Sequence, residues 1–190
     1  MNKAVFIDKD GTLIKDVPYN VDPALVTYSS TAIDALRMLQ DRGYLLIIIS
    51  NQSGVAKGYF SELELAMLIN KIRYDLAGHQ IHLTGFYYCP HFPDTAFSGY
   101  NDVCNCRKPA PGMFFTAAKD YDIDLSQSWM IGDILDDMEA GKRAGCKTIL
   151  LNVGNETEWK IDDYRVPNYY ADNLVAAARI ILNDANSLAQ

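Results

Sequence analysis

The chain has 190 residues, of which 49% are hydrophobic and 22% charged, and its formal net charge is -7. This composition is ordinary for a soluble globular protein, and no apolar run approaches the length of a membrane span. The acidic charge argues against nucleic-acid binding, which needs a basic face. We expect a single domain over residues 1–190. Because the first apolar stretch ends at Asp8, there is no signal-peptide pattern, and we expect a cytoplasmic protein without membrane or nucleic-acid partners.

The first predicted element is a buried strand over residues 4–7, followed by Asp8-Lys9-Asp10-Gly11-Thr12. Ligands of open parallel sheets bind beyond the carboxyl ends of the strands. Two acids at that point could bind a divalent cation, or one of them could act as a nucleophile. A calcium loop would have glycine at its sixth position, whereas glycine is fourth here. A hairpin turn is the ordinary alternative.

Apolar runs and helix caps predict the other elements. In chain order they are a loop over 13–28, a helix opened by a Thr31/Asp34 capping box and closed by Gly43, a strand over 44–49, a polar loop over 50–54, a helix from a Ser61/Glu64 capping box to Gly78, a strand over 86–88, an irregular stretch over 89–108, a helix over 112–121, a strand over 129–131, a helix over 138–144, a strand over 148–151, a surface loop over 155–163, an edge strand at 169–170 and a helix over 174–182. This alternation indicates an α/β fold, a doubly wound parallel sheet with helices on both faces.

Three of the four cysteines lie close together with a histidine. Cys89-Pro90-His91 and Cys104-Asn105-Cys106 supply three sulfurs and one imidazole, the ligand set of a closed structural zinc site. In a cytoplasmic protein such a cluster suggests a metal before disulfides. We predict a zinc-stapled loop over about 89–106; the alternative is unrelated cysteines near a strand end. Cys146 is expected to be a buried small hydrophobe.

Four polar clusters follow strands or open helices, and a doubly wound sheet can bring them to one edge. They are Asp8/Asp10, Ser50/Asn51, Arg107/Lys108 and Asp133/Asp137. Together they contain a nucleophile, a proton donor, a metal site and groups for phosphoryl oxygens, which is what phosphoryl transfer needs. Each cluster alone has an ordinary explanation, such as a strand-end turn, a solvated ion pair or a helix cap.

In these motifs the chain resembles the phosphatase branch of the haloacid dehalogenase (HAD) superfamily, over nearly its whole length. The Asp-x-Asp-Gly-Thr motif is found as Asp8 to Thr12, the strand-end Ser or Thr as Ser50, the Lys before a helix as Lys108, and the acidic Gly-Asp-x-x-x-Asp as Gly132 to Asp137. Between Asp10 and Ser50 there is room only for one loop and one helix, and between Ser50 and Lys108 only for one helix, one strand and the zinc loop. We therefore expect no cap domain and an open site with the zinc loop as one wall.

The resemblance also implies roles for the acids. Asp8 would attack phosphorus and form an aspartyl-phosphate, and Asp10 would protonate the leaving alcohol and then activate water. Mg²⁺ would bind to Asp8, Asp133 and the backbone carbonyl of Asp10. Ser50 and Lys108 would hold the phosphoryl oxygens.

By the same resemblance, Asp137 would orient Lys108 rather than bind the metal. Lys108 and Mg²⁺ together would let a carboxylate approach a phosphate dianion despite their like charges. Losing either should therefore affect chemistry rather than folding.

The zinc loop joined to Arg107-Lys108-Pro109 resembles one subgroup, the D-glycero-D-manno-heptose 1,7-bisphosphate 7-phosphatases and the related histidinol-phosphate phosphatases. The loop over 50–54 is similar to the heptose side, since the histidinol side tends to carry Asp where Ser53 stands. One departure is Ile134, where some heptose phosphatases have Lys. The substrate contacts implied by the resemblance are Asp16, Tyr19, Asn51, Gln52, Ser53 and Arg107.

The resemblance thus implies a monomeric, magnesium-dependent phosphatase that acts on a small sugar phosphate. It would remove the 7-phosphate of a heptose bisphosphate, for the synthesis of nucleotide-activated heptose. The alternatives are a histidinol-phosphate phosphatase, a polynucleotide phosphatase, which the acidic charge disfavours, and a zinc-stabilised binding module on an inactive scaffold.

Overall fold

A computed structural model of the chain describes residues 1–95, 99–101 and 103–187. The predicted zinc loop is therefore described except at residues 96–98 and 102. The strands are β1 (Ala4–Asp8), β2 (Leu45–Asn51), β3 (Leu83–Cys89), β4 (Trp129–Gly132), β5 (Lys147–Leu151) and β6 (Tyr169–Ala171). The α-helices of the described residues are α1 (Ala32–Asp41), α2 (Glu62–Gly78), α3 (Gly112–Tyr121), α4 (Leu135–Ala144) and α5 (Leu174–Ser187).

The strands form one parallel sheet in the order β3-β2-β1-β4-β5-β6. Because all pairs are parallel, the carboxyl ends of the strands open on one edge. The strand order reverses between β1 and β4, and in such sheets the crevice at this switch point is where ligands bind. Asp8 ends β1 and Asp133 directly follows β4, so both stand at that crevice.

Both faces of the sheet are covered, as the continuous apolar runs predicted. In β1, Val5 and Ile7 pack into a core shared with α1, α2 and α5, whereas Ala4 and Phe6 pack into a second core shared with α3 and α4. This alternation follows from the two-residue period of a strand. No helix in the described part of the chain has the length and apolar character to cross a membrane.

The connections after β1 and β2 contain loops and single helices. The loop over 9–31, which includes a 3-10 helix (Pro23–Leu25), and α1 join β1 to β2, and the loop over 52–61 and α2 join β2 to β3. Within the described residues no cap domain is inserted, which agrees with the predicted open site.

Local details confirm some predictions and correct others. The Ser61–Glu64 capping box is present at the start of α2, but the one predicted at Thr31 is wrong, because the Thr31 hydroxyl accepts from the backbone N–H of Val175 at 3.4 Å instead of capping α1. The second strand runs two residues past its predicted end, through Asn51. The strand thus carries residues that were expected in a loop.

Candidate active site

The centre of the site is a buried lysine between two aspartates. Lys108 Nζ lies 2.5 Å from Asp8 Oδ1 and 2.6 Å from Asp137 Oδ1, and it donates to the carbonyl oxygen of Ile49 at 3.3 Å. Lys108 is 3% exposed, Asp8 7% and Asp137 0%. The ammonium thus joins the end of β1, the start of α4 and β2, and it fixes the Asp8 carboxylate in one place. This is the contact expected of a residue that Asp137 orients.

Burial and neighbouring charges shift the pKa values of these groups. Burial raises the pKa of Asp8 well above its usual value, and Lys108 offsets only part of this because Asp137, Asp133 and Asp10 add repulsion. Burial opposes the charge on Lys108, but Asp137 and Asp8 outweigh it and raise the pKa of Lys108. Burial, with Asp137, raises the pKa of Asp133 to about 6. The cluster therefore holds more negative charge than one lysine neutralises, as expected of a cation site.

Two glycines permit the close approach of these acids to the backbone. A Cβ at Gly132 would collide with the Asp137 carboxylate, and a Cβ at Gly11 would collide with the Asp133 and Asn155 side chains. Gly11 also has a φ of +82°, a left-handed conformation that residues with a Cβ rarely adopt. Gly11 of the N-terminal motif is therefore needed both for the space that its missing Cβ leaves and for its backbone conformation.

Three carboxylates lie close enough to share a cation. One oxygen each of Asp8, Asp133 and Asp137 lie within 4.8 Å of one another. Asp137 is bound to Lys108, and Asp133 Oδ1 accepts from Thr12 Oγ1 at 2.9 Å. Lys108 also binds Asp8, but Asp8 and Asp133 line a cavity at this edge of the sheet whereas Asp137 is fully buried, so Asp8 and Asp133 are the two carboxylates that a cation could reach. They fit Mg²⁺, which takes hard oxygen ligands and usually only one or two carboxylates.

Asp10 is held apart from this cluster by two other side chains. Lys9 Nζ lies 2.6 Å from Asp10 Oδ1, and Gln52 Nε2 donates to Asp10 Oδ2 at 3.1 Å and to Ser50 Oγ at 2.7 Å. The Asp10 side chain is 31% exposed, so a ligand can reach it. The sequence interpretation gave Lys9 no role, whereas the structure buries it at 1% exposure. Its position between two acids at the end of a buried strand could have indicated that it pairs with one of them.

Asn51, predicted as a substrate contact, clamps the backbone of Lys108. Asn51 Nδ2 donates to the carbonyl oxygen of Lys108, and Asn51 Oδ1 accepts from its N–H, both at 3.0 Å. Because Asn51 is the last residue of β2, these two hydrogen bonds fix the backbone of Lys108 against the sheet.

Two cavities that share lining residues open onto these groups. The smaller, of about 220 Å³, is lined by Asp8, Asp10, Ser50, Lys108 and Asp133, together with Asp16, Asn51, Ile134 and Asn155. The larger, of about 310 Å³, shares Asp10, Asp16 and Asn51 with it and extends to Tyr19, Gln52 and Ser53. Of the predicted substrate contacts, only Arg107 lines neither. It lines a third cavity, of about 300 Å³, beside Lys108 and the zinc-loop residues Pro93, Val103 and Cys104.

The predicted zinc ligands converge. The Sγ atom of Cys89 lies 3.4 Å from that of Cys104 and 3.0 Å from that of Cys106, and the last two are 3.1 Å apart. His91 Nδ1 lies 3.3 Å from Cys106 Sγ and 3.6 Å from Cys89 Sγ. All three cysteines are free of disulfides. Three sulfurs and one imidazole nitrogen within one coordination sphere suit a tetrahedral zinc ion.

The predicted surface loop over 155–163 reaches the site at its start, which the sequence interpretation missed. Asn155 Nδ2 donates to Asp133 Oδ2 at 2.7 Å, and Glu156 Oε2 accepts from the backbone N–H of Leu135 at 2.5 Å. No motif connects this loop with α4, because the contact depends on the connection between β5 and β6 folding back over the sheet edge.

Two known proteins match this chain along nearly its whole length and theirs. A family model described as HAD-hydrolase-like matches residues 105–177. The D-glycero-beta-D-manno-heptose-1,7-bisphosphate 7-phosphatase of Haemophilus influenzae is 38% identical over 182 residues, which cover 95% of this chain and 97% of the relative. The D-glycero-alpha-D-manno-heptose-1,7-bisphosphate 7-phosphatase of Photorhabdus laumondii is 36% identical over 180 residues, which cover 94% and 96%.

A solved structure also resembles the whole chain. The D,D-heptose 1,7-bisphosphate phosphatase from B. bronchiseptica, complexed with magnesium and phosphate, is 29% identical. Its TM-score is 0.82, and the likeness covers 96% of this chain and 99% of that one.

Proposed function

Because this chain belongs to the family of HAD-like phosphatases that includes the heptose-1,7-bisphosphate 7-phosphatases, we propose that it removes the 7-phosphate of D-glycero-D-manno-heptose 1,7-bisphosphate. The observation that carries the chemistry is the buried Asp8–Lys108 contact at the end of β1. The names of the relatives support the substrate. They include enzymes named for the beta anomer and for the alpha anomer.

Asp8 is the proposed nucleophile. Its carboxylate stands at the switch point of the sheet and lines the smaller cavity with Ser50 and Lys108. Lys108 and the Ser50 hydroxyl would bind the phosphoryl oxygens, and Lys108 would reduce the repulsion between a carboxylate and a phosphate dianion. Attack by Asp8 on phosphorus would give an aspartyl-phosphate and free the sugar alcohol, so that one difficult step becomes two easier ones.

Asp10 is the proposed proton carrier. Lys9 and Gln52 hold its two oxygens while one side remains open to the cavity. It would give a proton to the leaving sugar oxygen, then take one from the water that hydrolyses the aspartyl-phosphate. A partly exposed carboxyl group with fixed orientation is suited to this double role.

Mg²⁺ fits the donor set of Asp8 and Asp133, with the backbone carbonyl of Asp10 as the third protein ligand that we propose. When bound, the ion would supply positive charge that screens the phosphate dianion and stabilises the transition state. Burial, with repulsion from neighbouring carboxylates, raises the pKa values of both carboxyl groups, and a bound cation would favour their charged forms.

Asn155 is expected to position the metal ligand Asp133. We predict that Asn155→Ala weakens Mg²⁺ binding by about tenfold, since the loss of a hydrogen bond to a metal ligand typically costs that much or more. Calorimetric titration of Mg²⁺ into the protein measures this without turnover. Asn152→Ala, an exposed asparagine in the same connection, is the control. Equal affinities of the wild type and Asn155→Ala would contradict the role.

Zinc is the proposed occupant of the Cys89, His91, Cys104 and Cys106 cluster. We predict that Cys106→Ser releases zinc and loosens the segment between the ligands, while the sheet keeps its stability. Zinc content by elemental analysis and backbone hydrogen exchange measure the two effects separately. Cys146→Ser, at a buried cysteine outside the cluster, is the control. Unchanged zinc content in the Cys106→Ser protein would refute the Cys₃His assignment.

The substrate is tested by comparing kcat/KM for heptose 1,7-bisphosphate and histidinol phosphate with Mg²⁺ present. We expect a strong preference for the heptose, in line with the named relatives. A preference for histidinol phosphate would mean that Ser53 is a poor guide to specificity. We further propose that the protein lies in the cytoplasm, a location that the four free cysteines support.

A further inference from the structure

The outer face of α2 is uncharged along the length of the helix. On the inner face, four aliphatic side chains pack into the core shared with α1 and α5, namely Leu65, Leu68, Ile72 and Leu76. On the opposite face, exposed residues without charge recur every three or four positions: Leu63, Ala66, Met67, Asn70, Tyr74 and Ala77. Because an α-helix has 3.6 residues per turn, these six positions form one continuous stripe.

The large side chains of this stripe are strongly exposed. Leu63 is 73% exposed, Met67 53% and Tyr74 79%, and Tyr59, three residues before the helix, is 62% exposed. A surface helix normally carries charged and polar side chains on its outer face, whereas a helix that is apolar on both faces is normally buried. In a chain in which 22% of the residues are charged, an uncharged stripe of this length marks an interaction surface.

The charged residues of α2 lie beside the stripe, and the two ends of the helix differ in sign. Glu62 and Glu64 are in the first turn. Arg73 lies near the other end, where Lys71 and Asp75 neutralise each other at a distance of 2.5 Å. The first half of the helix is therefore negative and the second half positive. Two copies of α2 in antiparallel orientation place each half against the half of opposite charge, whereas a parallel orientation would place like charges together.

The stripe is large enough for an interface between two copies. The 17 residues of α2 make a helix about 25 Å long. Since a covered aromatic side chain buries roughly 150–250 Å², the exposed parts of Tyr59 and Tyr74 together offer about 200–350 Å². With Leu63, Met67 and the smaller residues between them, two copies together bury on the order of 1,000 Å², which is the area that a biological interface should clear.

We propose that two copies of this chain form a dimer in which their α2 helices pack antiparallel across a two-fold axis. This replaces the monomer expected from the sequence. A two-fold axis brings the same surface of both copies together, so the surface must be complementary to itself. With the axis near Met67 and Asn70, Leu63 of one copy packs against Tyr74 of the other, and Glu62 approaches Arg73. The apolar contacts supply the affinity, and the charges beside them set the orientation.

Sedimentation velocity over a dilution series tests the dimer. We expect the wild type to sediment with twice the mass of one chain at high concentration and to dissociate on dilution. Met67→Glu places a charge at the centre of the stripe and should lose the dimer at every concentration, with circular dichroism as the check on folding. Phe115→Glu, at a 50% exposed position of α3, is the matched control and should dimerise like the wild type. A wild type that stays monomeric throughout, or a dimer that Met67→Glu leaves unchanged, would overturn the inference.

Cysteine cross-linking tests the orientation of the two helices. In an antiparallel pair only positions near the two-fold axis meet their own copy, whereas in a parallel pair every position of the stripe does. Asn70→Cys should therefore form an intermolecular disulfide with oxidised glutathione, and Ala77→Cys, near the end of the helix, should not. Non-reducing electrophoresis measures both, with the wild type as the baseline for the four native cysteines, which lie outside α2. Cross-linking of Ala77→Cys as complete as that of Asn70→Cys would contradict the antiparallel arrangement.

Discussion

Replacing Asp8 with asparagine should lower kcat by roughly 10⁴-fold or more, the scale on which enzymes lose activity when a nucleophile is removed. The amide has nearly the same shape as the carboxylate but cannot form an aspartyl-phosphate. Asp8→Asn should therefore fold normally and still bind sugar phosphates. Steady-state kinetics, with circular dichroism as the check on folding, measures the effect.

A second measurement on this variant tests for the covalent intermediate directly. Mass spectrometry of acid-quenched protein should detect a phosphoryl adduct on the wild type during turnover and none on Asp8→Asn. Asp22→Asn, at the cap of the short 3-10 helix before α1, should keep both turnover and adduct. If Asp8→Asn stayed active in its biological setting while stably folded, the chain would be a binding module rather than a phosphatase.

Replacing Lys108 with methionine should remove turnover and also destabilise the fold, which corrects the expectation from the sequence that its loss would affect chemistry rather than folding. Lys108 is the ammonium between Asp8 and Asp137, and without it two buried carboxylates face each other unpaired. Breaking a buried pair by removal of one partner typically costs roughly 3–5 kcal/mol of unfolding free energy. Urea unfolding with a chelator present measures this loss independently of any bound metal.

Two further variants make this prediction sharper. Lys108→Met/Asp137→Asn should recover part of the lost stability, because one of the two uncompensated charges is gone, but it should recover no activity. Lys71→Met breaks a solvent-facing pair with Asp75 on α2 and should cost at most about 1 kcal/mol. Equal stability losses in Lys71→Met and Lys108→Met would contradict the central role of the buried lysine.

The sequence was most informative where one motif determines one contact. A buried strand that ends in two acids correctly predicted that Asp8 would stand at the carboxyl edge, because parallel strands must open their ligand sites there. The short Cys-x-His and Cys-x-Cys spacings likewise predicted a cluster that the structure brings together. Strand and helix alternation predicted a parallel sheet covered on both faces, which is confirmed.

Contacts between segments far apart in the chain could not be read from spacing. The link from Asn155 to Asp133 depends on how the β5–β6 connection folds back over the edge of the sheet. Burial of Lys9 was missed because lysines are rarely buried unless they are paired, and its pairing with Asp10 depends on the turn after β1. The capping box predicted at Thr31 failed for the same reason as the missed contact of Asn155. The Thr31 hydroxyl accepts from the backbone N–H of Val175 in α5, a residue far away in the sequence.

Phosphorus NMR of the reaction with heptose 1,7-bisphosphate is the most direct test of the proposed reaction. It reports which phosphate leaves while both are attached to the same sugar. We expect the signal of the phosphate at carbon 7 to disappear as inorganic phosphate appears, while the signal of the anomeric phosphate remains. Loss of the anomeric signal first, or no change in either signal with Mg²⁺ present, would contradict the assignment of this chain as a 7-phosphatase.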